Sequence, residues 1–330
     1  MQYAGLDTHK ESVVLCIIDE NACVVKEEKF PTDNLGLTRL IQTVTGVECV
    51  LEACSTSFPV YDALTQQGVT VKAAHPLLLK SMSGLKKTDK VDAKRMALML
   101  KAGIIPQAHI PTRAVRVYRD WIQTHIRLVQ QKTKEKNRVH SILLRYRIKT
   151  KTKSLFTKKA TWLESPNIPI ELKPLIKQHL DQIIQLKQKQ QEIDSHIEEQ
   201  AKKNPQSKLL YSIPGVGWFV SFLAVNSIDG IERFHSPEQL VSYAGLAPRI
   251  HQSGDTSYHG HISKTGRTEL RWALVQAAWK NILYSKKLRK KYLKLSRMIG
   301  KKKAIIAVAR KLLIIMYYLL KKNEVYNENA

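Results

Sequence analysis

A chain of 330 residues, 43% of them hydrophobic, is long enough for two domains and a connector and carries material for real cores. Its 54 Lys and Arg against 28 Asp and Glu give a formal net charge of +26, an excess that asks for a polyanion, nucleic acid first and a membrane surface second. The one apolar stretch of spanning length, Ala304 to Leu320, is broken by Arg310 and Lys311, so no membrane partner is expected. The first ten residues lack a basic segment followed by an apolar one, and the expected location is cytoplasmic, associated with the nucleoid. Cys16, Cys23, Cys49 and Cys54 form no C-x-x-C pair, which argues against a zinc site and a disulfide framework.

In chain order, Tyr3 to Leu6, Val13 to Ile18, Ala22 to Val25, Val47 to Leu51 and Val69 to Ala73 are predicted strands. Asn34 to Thr43 and Pro59 to Gln67 have helical spacing between them. The expectation is an α/β domain on a mixed sheet over 1–112, closed by a helix from Lys90 to Lys101. A helical, basic run from Arg113 to Lys149 follows, and after a break another from Glu171 to Lys203. The second has an apolar seam at Ile176, Leu180, Ile183, Leu186, Ile193 and Ile197, which predicts a helical hairpin or coiled-coil connector over 113–205 that also pairs subunits. An ordinary helical spacer within one subunit is the other reading. Over 206–330 a mainly α domain is expected: Leu209 to Ile213, a tight turn at Pro214 to Gly217, a helix through Trp218 to Val225, the stretch Ser242 to Pro248, a polar loop from Arg249 to Gly266, helices at Thr268 to Leu283 and Lys301 to Lys321, and a frayed tail from Asn323 to Ala330.

In so cationic a chain the acids stand out. Asp7 and Glu52 end predicted strands, and Asp89 and Asp92 are three apart at the start of a helix, where residues i and i+3 share a face. Clustered carboxylates suit Mg²⁺ or Mn²⁺, and two such ions can clamp the attacking and leaving oxygens of a phosphodiester. Taken singly, Asp7 can start a turn, Glu52 can pair with a lysine, and Asp89 can cap the helix.

The Ile213-Pro214-Gly215-Val216-Gly217 segment is similar to a helix-hairpin-helix turn, in which Gly215 and Gly217 would let backbone N–H groups approach a phosphate; a glycine turn between packed helices is also ordinary structure. In the loop beyond it, a serine beside a glycine can attack a phosphodiester if Lys264, Arg267 and Arg271 stabilise the added negative charge. Ser253 can equally start a turn. His251, His259 and His261 match no common zinc spacing and suit phosphate contact or acid-base help better.

Taken together, Gly5-Leu6-Asp7-Thr8-His9-Lys10, Leu51-Glu52-Ala53, Lys87-Thr88-Asp89-Lys90-Val91-Asp92-Ala93, Tyr243-Ala244-Gly245-Leu246-Ala247-Pro248, Gln252-Ser253-Gly254 and Ser263-Lys264-Thr265-Gly266 resemble the insertion sequence 110 family of bacterial transposases over nearly the whole chain. The resemblance implies a RuvC-like domain of RNase H fold whose four acids match Asp7, Glu52, Asp89 and Asp92, then a coiled coil, then a transposase domain with a nucleophilic serine. That role is carried to Ser253, with Ser257 and Ser263 as alternatives. It also implies self-association, dimer to tetramer, with active sites shared between subunits, and a noncoding bridge RNA that pairs with donor and target DNA.

The expected reaction is metal-assisted phosphoryl transfer through a covalent phosphoserine, without ATP, in keeping with the absence of a G-x-x-x-x-G-K-[ST] motif. One alternative is a metal-dependent Holliday-junction-type nuclease in which water attacks and no adduct forms. The other is a non-catalytic nucleic-acid-binding protein with structural acids.

Overall fold

The structure, a computed structural model, describes residues 1–81, 88–150, 155–156, 160–253 and 256–328, with the backbone alone at 250–253 and 256–259. Two compact units emerge, Met1–Thr112 and Arg113–Ala330.

The first unit is the mixed α/β domain the patterning predicts. Strands β1 (Tyr3–Thr8), β2 (Ser12–Ile18), β3 (Val24–Pro31), β4 (Glu48–Glu52) and β5 (Val71–Ala74) form one sheet in the order β3-β2-β1-β4-β5. β1 to β3 run antiparallel, whereas β4 is parallel to β1 and β5 to β4. The third strand begins later and runs further than its apolar start suggests. It is an edge strand with exposed Lys and Glu, a composition that keeps an open edge from pairing with other chains. Helices α1 (Asn34–Val44) and α2 (Phe58–Gln66) bury Leu40, Val44, Val60 and Leu64 among Leu6, Leu15, Phe30 and Leu51. A short α3 (Pro76–Ser81) follows β5, and α4 (Asp89–Lys101) covers the other face.

Side chains alternate along a strand, so Tyr3, Gly5 and Asp7 share the face of β1 turned to α4. A Cβ at Gly5 would lie 1.9 Å from the Ala93 carbonyl oxygen and 2.9 Å from the Ala97 amide nitrogen. Backbone thus meets backbone there, with buried Ala93 and Ala97 on α4 against Val14, Cys16 and Ile18 of β2.

The second unit opens with a long antiparallel hairpin of α5 (Arg113–Arg145) and α6 (Leu172–Lys203). The α6 seam is occupied within the chain: Ile176, Leu180 and Ile183 are buried with Val139, Ile142 and Leu143 of α5, and Ile197 with Ile122 and Ile126. Polar contacts register the pair, His125 Nδ1 to Asp194 Oδ1 at 2.5 Å and His179 Nδ1 to Glu135 Oε2 at 2.8 Å. Within the chain α5 thus covers Ile176, Leu180, Ile183 and Ile197 of the seam, while Leu186 and Ile193 stay half-buried.

Helices α7 (Pro205–Tyr211) and α8 (Trp218–Ile228) flank the glycine turn, followed by α9 (Pro237–Tyr243), α10 (Thr268–Tyr284), α11 (Lys286–Ile299) and α12 (Lys301–Lys322), all joined in one core. Two corrections apply. The polar loop from Arg249 to Gly266 contains a hairpin, β6 (Pro248–Ser253) and β7 (Thr256–Ile262), with Ser253 opposite Thr256. The tail is tied down rather than frayed through residue 328: the Ser285 hydroxyl donates to Glu328 and the Tyr326 amide donates to Ser212 Oγ. Among the described residues no helix is long and apolar enough to cross a membrane.

Gly5→Ala should lower stability by about 1–3 kcal/mol, the usual cost of overpacking, read as a lower urea midpoint. An unchanged midpoint would show that α4 does not rest on β1 so closely. Ile183→Glu should lower the melting temperature strongly, because a charge enters a covered apolar layer. If the variant keeps its melting temperature and only loses mass by light scattering, the seam pairs subunits.

Candidate metal centre and basic turn

Asp7 sits one residue from the end of β1, and Glu52 closes β4. Leu6 pairs with Leu51 in the parallel ladder, so the two acids follow at neighbouring strand ends. The chain beyond Glu52 is pinned, with the Ala53 amide donating to the Ala74 carbonyl at 2.9 Å and Thr56 Oγ1 to the Thr8 carbonyl at 3.1 Å.

Helix α4 supplies the other two acids. Its N-cap is Thr88, whose hydroxyl accepts from the Val91 amide at 3.3 Å, so Asp89 is not the cap and stands in the first turn with Asp92. Acids there are favoured by the helix dipole. Asp92 also accepts from Arg95 Nη1 at 2.9 Å. Lys87 of the motif lies outside the described residues.

Contact with α4 brings these acids to Asp7. Burial raises the Asp7 carboxyl above its ordinary 3.8. The charge of His9 opposes this, and the charges of Asp89, Asp92 and Glu52 each push it further up. All four predicted acids therefore act in one electrostatic neighbourhood. A fifth group, to which the motif reading gave no role, joins them: His9 Nε2 lies 3.3 Å from Asp7 Oδ2 and 3.3 Å from Asp89 Oδ2. Ligand atoms of Asp7, His9 and Asp89 all lie within 4.8 Å of one another. The signal for His9 was only its position two residues after Asp7, on the turn into β2.

This donor set fits a divalent cation. It is made of carboxylate oxygens with one imidazole nitrogen, it carries excess negative charge, and its members are open enough to retain water or substrate oxygens, Asp89 being 53% exposed.

In the second unit the motifs form a braced turn. The Arg267 amide donates to the Tyr243 carbonyl, the Lys264 amide to that of Gly245, and the Ser263 amide to that of Ala247. A Cβ on Gly266, at φ +109, would lie 2.2 Å from the Tyr243 carbonyl oxygen, so only glycine lets the two segments meet. Arg267 Nε donates to the Tyr243 hydroxyl at 3.0 Å and Arg271 Nη1 to the Ala244 carbonyl at 3.1 Å, while Lys264 is exposed. Burial, reinforced by the charge of Arg267, pushes the Arg119 guanidinium down to about 10. Among the described residues the buried Ser263 hydroxyl has no hydrogen-bond partner.

Ser253 and Ser257 lie on the hairpin with their side chains outside the described residues, as are those of His251 and His259 and the whole of Gly254. Of the turn glycines, Gly215 at φ +85 is pressed against the α10 backbone, where a Cβ would be 2.7 Å from the Asn281 nitrogen. Gly217 has open space and precedes α8 as its N-cap.

Since ionising Asp7 costs the folded state more than the unfolded chain, its contribution to stability without metal falls as the pH rises from about 4 through the raised value. Asp7→Asn should therefore raise the metal-free melting temperature at pH 7 and flatten that part of the pH profile in calorimetry. A variant that melts lower at pH 7 would contradict the crowding of these charges.

Comparison with known proteins agrees with this geometry. Residues 207–293 match the transposase IS116/IS110/IS902 family, and residues 4–148 match the DEDD transposase domain of the IS110 group. A transposase for insertion sequence element IS1111A from Coxiella burnetii is 28% identical over 99% of this chain and 91% of its own length. The pilin gene-inverting protein of Moraxella bovis is 38% identical over 38% of this chain and 40% of its own. A Thermus thermophilus RuvC in complex with a Holliday junction substrate aligns at 14% identity and a TM-score of 0.26, over 33% of this chain and 99% of that one, a likeness too low to carry weight. With both domain types matched in order over well over half of its length, and a full-length relative beside them, the chain belongs to the IS110 family of transposases, enzymes of DNA phosphoryl transfer.

Proposed function

We propose that this transposase cuts and rejoins donor and target DNA by metal-assisted serine transesterification, guided by a noncoding bridge RNA, with Asp7, Glu52, Asp89 and Asp92 as the metal-holding acids of an RNase H-like, RuvC-like domain. The observation that carries the reading is the gathering of Asp7, His9 and Asp89 ligand atoms within 4.8 Å of one another, with the charges of Glu52 and Asp92 also felt at Asp7. When bound, Mg²⁺ or Mn²⁺ would supply Lewis acidity toward a phosphoryl oxygen. The residues of the chain hold that charge in place, and Arg95 and the pinned chain after Glu52 keep two of the acids oriented.

Ser253 is the proposed nucleophile. Its Oγ forms a bond to the phosphorus of a DNA phosphodiester and the bond to the 3′ oxygen breaks; the serine hydroxyl proton passes to solvent and the leaving 3′ oxygen takes one from solvent, so a 3′ hydroxyl and a phosphoserine result. A 3′ hydroxyl of the partner strand then attacks the phosphoserine and releases the serine. Bond energy is conserved, so no ATP is required. Burial of the Ser263 hydroxyl supports the two hairpin serines over it. Lys264 is exposed and available to a phosphate, while Arg267 and Arg271 hold the Tyr243–Ala244 turn and reach a phosphate through what remains of their donors. Gly217, open ahead of α8, suits a backbone phosphate contact, and Gly215 shapes the turn. The excess of cations supports binding of two polyanions, DNA and RNA. Self-association as a dimer to tetramer is part of the proposal.

Asp7→Asn, Glu52→Gln, Asp89→Asn and Asp92→Asn should each lower strand cleavage by about 10²–10³-fold or more while the protein still binds DNA. Ser253→Ala should also bind and fail to recombine, and a nicked suicide substrate should trap the parent on DNA through the peptide that contains Ser253. An adduct on Ser257 moves the assignment by one strand. Cleavage with no adduct at all replaces the serine by water and makes the enzyme a nuclease.

A further inference from the structure

Helix α11 carries seven cations and no acid, and only Leu288 on it is buried. Neither glycine turn nor serine loop accounts for it. Between α11, α12 and the segment 323–327 lies a groove of about 790 Å³, lined by Lys287 and Lys291 from one helix and Lys311, Tyr318 and Lys322 from the other. Glu324 is the only acid among the lining residues. Among the described residues no ion pair engages Lys291, Lys311 or Lys322, although the neighbouring Lys321 is held by Glu232. Burial, and then the like charges of Lys311 and Arg310, lower the affinity of Lys291 for its proton. Cations gathered in a groove against their own repulsion mark a place where a polyanion supplies the missing charge.

The groove also offers a ring. Tyr318 is 48% exposed, and the buried Tyr317 stands edge-on to it at 5.3 Å. Duplex DNA keeps its base faces stacked inward and can present only phosphates here, whereas an unpaired base can lie on an exposed aromatic ring. The tail segment that forms the far wall is held by the Tyr326 amide on Ser212 and by Glu328 on Ser285, so the groove is a built feature of the unit.

We infer that the groove between α11, α12 and residues 323–327 binds a single-stranded stretch of nucleic acid, with phosphates on Lys291, Lys311 and Lys322 and one base stacked on Tyr318. This rests on the nucleic-acid part of the proposed function but is independent of the metal centre and of the serine. The shared chemistry is a sugar-phosphate strand with unstacked bases, whether it comes from RNA or from a displaced DNA strand.

The test uses the full-length protein with fluorescent oligouridylate, oligothymidylate and a mixed-sequence duplex, each of about 15 nucleotides, titrated at several salt concentrations. Lys291→Gln with Lys311→Gln should weaken single-strand binding and reduce the log-log salt slope by about 1.4, two contacts at about 0.7 each. Tyr318→Ala should cost single strands about tenfold and leave the duplex almost unchanged, and Tyr318→Phe should bind as the parent does. Irradiation of a 5-iodouracil-substituted strand should place a crosslink on Tyr318, a readout that other basic surfaces cannot imitate. Tighter binding of oligouridylate assigns the groove to RNA, and tighter binding of oligothymidylate assigns it to DNA. Parent-like affinity and slope in the folded lysine variants, or crosslinks confined to other peptides, would overturn the inference. Asp7→Asn should bind these strands normally, so failure of the catalytic reading and failure of this one are told apart.

Discussion

The contact between Gly5 and the backbone of α4 governs the geometry of the first unit. A strand and a helix usually stand apart by the thickness of their side chains. Here the strand gives up its side chain at Gly5, the helix offers Ala93 and Ala97, and a carbonyl oxygen occupies the place a Cβ would take. Two residues along β1 on the same face stands Asp7, and in the first turn of α4, just before Ala93, stand Asp89 and Asp92. Moving the helix outward by a single methyl group would draw these acids away from Asp7 and weaken the coupling among them. The alternation of the strand and the turn of the helix, joined at one small residue, produce a concentrated negative site in a protein of strongly positive charge.

That site is costly by itself, because carboxylates brought together in a half-buried place repel one another and raise the Asp7 proton affinity. His9 offsets part of the cost by standing between two of them. The second unit shows the opposite imbalance, with cations gathered on α11 and α12 and around Arg119, Arg233 and Arg267. The acid site of the first unit is thus locally short of cations, and the second unit is short of anions. A metal ion and a nucleic acid would supply what each lacks.

Much of this was legible in the sequence. Buried strands β1, β2 and β4 announce themselves by apolar runs, and the acids at their ends are visible because the chain has so few. Helices α5 and α6 show their apolar period over many turns. What escaped did so for physical reasons. Strand β3 is rich in Lys and Glu because it is an edge, so its pattern is not apolar. The hairpin β6–β7 is two-stranded and polar, and reads as a loop until the pairing of Ser253 with Thr256 is seen. Helix α11 has apolar residues at helical spacing, Leu288, Tyr292, Leu295 and Ile299, but seven cations in 14 residues dilute them. His9 belongs to no ligand spacing, since its partners come from a strand and from a helix some 80 residues away in sequence. The α6 seam was visible but its partner was not: an apolar stripe states that something covers it, and only the structure shows that α5 of the same chain does.

The central claim is that the acids of β1, β4 and α4 form one cation site. Crystals grown with Mn²⁺ and measured near the manganese absorption edge test it most directly. The account predicts an anomalous peak bounded by Asp7, Asp89 and their neighbours Glu52, Asp92 and His9, with ligand oxygens at about 2.1 Å. Manganese bound only elsewhere on the chain, with these carboxylates left uncoordinated, would contradict it.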